Sequence, residues 1–106
     1  MVVPAGHPCI VCGDFNLIAA ASEKSSANIN RRTMTAFRHF INDLQLLELY
    51  MHGQRYTWSN EQANVVMVKL DRVLYNAEWN DLFPACLLQA LSSDILDHCP
   101  MLLSGF

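Results

Sequence analysis

The first apolar block of the chain is Cys9-Ile10-Val11-Cys12, bounded by Pro8 and Gly13. So short a run between breakers predicts a fully buried strand. Polar residues then take over, and Ser22 to Asn28 predicts a loop within 17–30. From Arg31 to Gln45 the period lengthens: Met34, Phe37, Ile41 and Leu44 recur at spacings of three and four. Phe40 widens that stripe, which predicts a helix with one buried face, capped by Asn30. Leu46 to Tyr50 is a short apolar segment compatible with a strand and closed by His52-Gly53. Tyr56-Thr57-Trp58 has strand composition and ends at the turn pair Ser59-Asn60. Val65 to Tyr75 alternates over part of its length, with Val66, Val68, Leu70 and Arg72 on one side, which predicts a strand in a hairpin with Thr57-Trp58. Asn76 is placed to cap a short helix, Ala77 to Leu82, that stops before Pro84. Ala85 to Leu91 and Cys99 to Leu103 predict two closing strands around an acidic loop, Ser92 to His98.

This order of strand, helix, strands, short helix and strands implies an α/β sandwich rather than a helical bundle or a barrel. The sheet is expected to be incomplete, because the first strand would sit in mid-sheet with nothing before it to pair with or cover it. At 106 residues the chain is one domain at most. With 52% hydrophobic and 16% charged residues, it is either globular or a piece of something larger with an apolar face left uncovered. No apolar run approaches the ~18 residues of a membrane span, and Met1-Val2-Val3-Pro4 lacks the regions of a signal peptide. The expected setting is intracellular, nuclear or cytoplasmic.

A net charge of −3 argues against gripping nucleic acid by charge alone. The one basic cluster, Arg31-Arg32 with Arg38 and His39 further along, reads as a solvated helix face. A polyanionic substrate would then require a bound metal to supply positive charge. Cys9 and Cys12 have C-x-x-C spacing, but β-branched Ile10 and Val11 lie between them, and strand positions three apart face opposite sides. Small buried thiols are one reading; a zinc site joining Cys9, Cys12, His98 and Cys99 is the other.

Candidate chemistry lies at three places. Asp14 and Asn16 end the first strand in Gly13-Asp14-Phe15-Asn16, where an acid can orient a water or bind Mg²⁺ and an amide can donate to a phosphoryl oxygen. The same tetrapeptide also suits an Asx turn. Asp71 is an acid within an apolar strand, explained either by pairing with Lys69 or Arg72 or by holding an imidazole in one tautomer. Asp97-His98 joins an acid to an imidazole before an apolar strand, with Asp94 a competing acid in the same loop.

Taken in order, these strings resemble the endonuclease/exonuclease/phosphatase superfamily, the metal-dependent fold of apurinic endonucleases and pancreatic deoxyribonuclease. They look most like the domain of plant non-LTR (LINE-type) retrotransposons. The carrying strings are Cys12-Gly13-Asp14-Phe15-Asn16, Arg31-Arg32, Tyr56-Thr57-Trp58-Ser59-Asn60, Lys69-Leu70-Asp71-Arg72-Val73-Leu74, Trp79 through Phe83-Pro84, and Asp97-His98-Cys99-Pro100. The resemblance implies a partial, C-terminal-half two-sheet α/β sandwich of the deoxyribonuclease-like type over residues 1–106. It also implies a Mg²⁺- or Mn²⁺-dependent phosphodiesterase acting on DNA.

By the same resemblance Asp14 positions or deprotonates the attacking water and Asn16 contacts the phosphate. Asp71 orients His98, which stabilises charge on the phosphoryl group, and Asp97 helps Asp14 and Asn16 bind the metal. Leu96 stands where the family usually has serine. The glutamate that is the family's main metal ligand belongs to an N-terminal half not found here, and Glu23 has no spacing that lets it take that place. The expectation is therefore a retrotransposon-derived fragment with weak or no activity. The alternatives are a non-catalytic remnant or protein-interaction module, its exposed sheet covered by the N-terminal half or a partner, and the small zinc module.

Overall fold

The computed structural model describes residues 6–60, 62–92 and 97–106. Met1 to Pro4, Asp94 and Leu96 lie outside the described residues. Among the described residues the chain is mixed α/β, with three small sheets and two α-helices. The first sheet has the order β1-β6-β2, formed by Ile10–Asp14, Asp71–Tyr75 and Leu47–Glu48, all antiparallel. A second has the order β3-β7-β8, formed by Met51–His52, Leu87–Ala90 and Met101–Ser104. In it β3 runs parallel to β7, and β8 antiparallel. A two-stranded ribbon pairs β4 (Trp58–Ser59) with β5 (Met67–Val68). No helix among the described residues is long and apolar enough to cross a membrane.

Residues on the two sheets share one core. Val73 from β6 packs with Met51, Leu88 and Ala90 of the second sheet, and Ile10, Cys99, Met101 and Leu103 close around them. Strand alternation turns Arg72 and Leu74 to the opposite face, and both are fully buried. There α1 (Arg31–Asp43) covers the sheet with Phe37, whose ring lies 5.2 Å from the Arg72 guanidinium carbon. The Asn30 side chain accepts the Thr33 N–H, as its cap position requires. Phe40, on the widened stripe, is exposed.

Two expectations about strands fail. Cys9 to Cys12 is not a fully buried strand: Cys9 is half-buried and Cys12 exposed, and β1 is paired on one side only among the described residues, as an incomplete sheet requires. An apolar run reports affinity for a core, not the number of neighbours a strand finds. Val65 to Tyr75 is not one strand either, because it splits into β5 and β6 in different sheets. At the break the Lys69 N–H donates to the Glu23 carbonyl (2.8 Å) and the Leu70 N–H to the Thr57 hydroxyl (2.9 Å). Those donors leave the ladder, and the chain crosses from ribbon to sheet. The predicted hairpin does form, with Trp58 opposite Val68. Its turn is organised by Asn60, whose side-chain oxygen accepts the Val66 N–H (3.0 Å).

The crossing is secured by charges in the interior. Arg72 donates to both Glu23 oxygens (2.9 and 3.2 Å), to Glu48 (2.7 Å) and to the carbonyls of Leu17 and Lys69. Lys69 pairs with Glu48, so two cations face two carboxylates and the cluster is neutral. Burial opposes charge on Glu23. The hydrogen bonds from Arg72 and the Ala19 N–H, with the charges of Arg72 and Lys69, outweigh it and hold the carboxyl below its ordinary value. Neither Lys69 nor Arg72 is the partner of Asp71. Glu23 stands in the loop read as merely polar, in a 3₁₀ turn, Ala21–Glu23.

Asn76 has a double task. Its side-chain oxygen accepts the N–H groups of Trp79 (3.0 Å), as cap of α2 (Ala77–Leu82), and of Cys9 (2.9 Å). Its amide donates to the His7 carbonyl (2.7 Å). Replacing a buried cap that serves three backbone groups with alanine is expected to cost about 2 kcal/mol. A urea-unfolding midpoint within error of the parent would contradict this.

Candidate active site

The end of the first sheet brings together residues far apart in the chain. In the β1/β6 ladder Asp14 stands directly opposite Asp71. Like charges in that register repel, and His98 lies between them. Its Nδ1 is 2.7 Å from Asp71 Oδ2 and its Nε2 is 3.8 Å from Asp14 Oδ2. An ionised carboxylate can only accept, so Nδ1 carries the proton and donates to Asp71.

The loop holding His98 is fixed from the ribbon. Trp58 and His98 form an antiparallel bridge, the Ser59 N–H donates to the Asp97 carbonyl (3.0 Å), and the Cys99 N–H donates to the Thr57 carbonyl (2.8 Å).

This environment raises the His98 pKa. The hydrogen bond to Asp71 is the largest cause; burial opposes it, and the charges of Asp71, Asp14 and Asp97 add to the rise. Protonation of His98 therefore stabilises the fold in full below its unfolded value of about 6.5. That contribution fades as pH climbs through the higher folded value. An NMR titration of the His98 ring is expected to show a midpoint above about 6.5 that falls in Asp71→Asn. A midpoint at or below 6.5 in the parent would contradict the arrangement.

Asp14, Asp71 and His98 each offer one ligand atom, all within 4.8 Å of one another, so the group could hold a metal ion. The chemistry of the donors divides the work. Asp71 is engaged by Nδ1, whereas Asp14 is exposed at the rim with Oδ2 facing the site. A hard cation commonly binds through one or two carboxylates, with substrate phosphate and water completing its shell. Asp14 fits that part.

Asp97 flanks the group. Its side chain accepts the His98 N–H (3.1 Å), and it borders a cleft of about 130 Å³ with Tyr56, Trp58 and Ser59. Asn16 departs from the extended geometry that would align its side chain with Asp14. Its φ is +54°, its N–H donates to Asp14 Oδ1 (2.7 Å), and it borders a separate cleft of about 140 Å³ with Leu17, Ile18 and Lys24. The Asx turn and the candidate site are thus one feature, and the turn aims the Asp14 carboxylate.

The cysteines do not assemble as a zinc site among the described residues, where the one candidate group is Asp14, Asp71 and His98. Nor are Cys9 and Cys12 small buried thiols, since Cys9 is half-buried and Cys12 exposed; Cys86 alone is buried. Burial pushes the Cys12 thiol up, with Cys86 adding to it. Burial and the charge of Asp71 do the same at Cys99.

Sequence reasoning missed Thr57, Glu23 and Glu48. Only the strand break after Val68 could have hinted at them, and nothing in the alternation marked it.

Compared with known proteins, residues 2–94 match the family model described as the Endonuclease/Exonuclease/phosphatase family. No curated protein and no solved structure matches. The matched span includes Asp14, Asn16 and Asp71. Asp97 and His98 lie beyond it and join the site by geometry.

Proposed function

Because this chain belongs to the endonuclease/exonuclease/phosphatase family, we propose that it is a divalent-metal-dependent phosphodiesterase acting on DNA, with slow turnover. The observation that carries this reading is the Asp14–His98–Asp71 arrangement, in which one acid fixes an imidazole and the other remains exposed beside it. A bound Mg²⁺ or Mn²⁺ would be held by Asp14, with Asp97 and Asn16 nearby, and would neutralise charge on the phosphoryl and leaving oxygens. Asp14 orients the attacking water and takes its proton. His98, whose protonated form Asp71 favours, donates in that form from Nε2 to a phosphoryl oxygen. The resemblance gives the Asn16 amide the part of a second, neutral donor to the phosphate, which from its place beside Leu17, Ile18 and Lys24 it fills only by turning toward Asp14.

On the strength of the ordered strings we place the chain nearest the domain of plant LINE-type retrotransposons. We read it as the C-terminal half of a deoxyribonuclease-like sandwich. The family's main metal-ligand glutamate is not among these 106 residues, so this stretch by itself is expected to turn over slowly. Glu23 cannot stand in for it, since both its carboxylate oxygens are taken by Arg72.

Purified protein with supercoiled plasmid and Mg²⁺ or Mn²⁺ tests the reading. Slow nicking that EDTA abolishes is expected. No nicking at any concentration of either metal would sink it. A second reading, a non-catalytic interaction module, is favoured by the outward leucines of the second sheet, Leu87 and Leu102, which are 54% and 49% exposed. It predicts the same fold with no nicking.

A further inference from the structure

We propose that Thr57 is the positioning residue of the Asp71–His98 pair, tying the two halves of the pair to one side chain and its own peptide. Thr57 is 2% exposed. Its hydroxyl oxygen accepts two successive backbone N–H groups, from Leu70 (2.9 Å) and from Asp71 itself (3.0 Å). Its carbonyl accepts the N–H of Cys99 (2.8 Å), the residue after His98, and its own N–H donates to the Val68 carbonyl (3.0 Å). One residue therefore holds the acid from one side and the imidazole's strand from the other.

The need for such a clamp follows from the fold. Between β5 and β6 the chain leaves the ribbon for the sheet, and Leu70 and the leading edge of Asp71 must find acceptors other than the ribbon. The Thr57 hydroxyl has two acceptor sites, and both are used. The Leu70 carbonyl in turn accepts the Phe15 N–H (3.1 Å), next to Asp14. The clamp thus reaches the third member of the group through one peptide. An imidazole–carboxylate hydrogen bond of 2.7 Å tolerates little displacement before it lengthens. A partner that holds both backbones sets that distance.

The inference rests on the phosphodiesterase reading for the meaning of the pair, but its test can be read without activity. In the metal-free protein, the Nδ1 proton of His98 donating to Asp71 is expected as a downfield proton NMR signal, absent in Asp71→Ala. Thr57→Val keeps the side-chain shape and removes the oxygen. It is expected to lose or broaden the signal and to nick plasmid ~10–100-fold more slowly, as loss of an outer-shell partner does. Thr57→Ser keeps the oxygen and is expected to restore both. An intact signal in folded Thr57→Val, or a lost one in Thr57→Ser, overturns the proposal.

Should Thr57→Val fail to fold, amide exchange in the unaltered chain decides. Protected Leu70 and Asp71 amides are required, and exchange at unfolded rates overturns the clamp. Wild-type protein that never nicks DNA, yet shows the signal and its dependence on Thr57, would remove the proposed activity and leave the positioning role standing.

Discussion

Arg72→Met is expected to destabilise the protein by about 3–5 kcal/mol, the usual result of removing one partner from a buried ion pair. Domains of this size are stable by only about 5–15 kcal/mol, so the variant would be close to unfolding. Methionine fills most of the volume, which isolates the polar loss from a cavity. What remains is costly: Glu23 and Glu48 lose their shared donor, and the Leu17 and Lys69 carbonyls lose theirs. Lys69 alone then faces two carboxylates.

Replacing Glu23 alone by glutamine in the same background is expected to recover part of the loss, because Lys69 and Glu48 then remain as a one-to-one pair. Acid sensitivity provides a second measure. Glu23 has its folded pKa depressed, so its contribution is present above about 4.3 and is lost as pH falls through the lower folded value. Arg72→Met should weaken that dependence, the Ala19 N–H and Lys69 still acting on the carboxyl. Urea unfolding followed by tryptophan fluorescence reads both effects, and a loss below about 1 kcal/mol would mean that the cluster carries little of the fold.

The second large effect is on chemistry. His98→Ala is expected to lower the rate of plasmid nicking by about 10²–10⁴-fold, the range for removing a positioned proton donor. Asp14→Ala should fall in the same range, since it removes the group that orients the water and helps hold the metal. The double variant should lose little more than either single one, because residues acting as a unit are not additive. Both positions are at the rim, 36% and 42% exposed as side chains, so the fold should survive and circular dichroism can confirm it. A His98→Ala protein nicking at the parental rate would make the Asp71–His98 bond a structural feature only.

These expectations draw on different depths of the chain. Much of the local structure was legible in the sequence. Asn30 and Asn76 cap the helices that follow them, because a cap is decided within three residues. The stripe of Met34 and Phe37 faces the interior, because helical period alone aligns them. The Thr57-Trp58 hairpin and its Asn60 turn formed for equally local reasons. The chemical residues were legible as strings in family order, yet the strings carried no distances.

What the tertiary structure decided is what lies far apart in sequence. Arg72 meets Glu23 across 49 residues and Asp71 meets His98 across 27. No local pattern announces a buried pair of that kind, since each member reads as an ordinary surface charge until the fold encloses it. The break after Val68 was hidden for the same reason: the acceptors that divert Lys69 and Leu70 belong to residues 23 and 57. By itself the sequence determined two capped helices, a set of short strands and a family's residues in order. Folding decided which acid holds the imidazole and which faces the solvent, because hydrogen bonds and desolvation act through space.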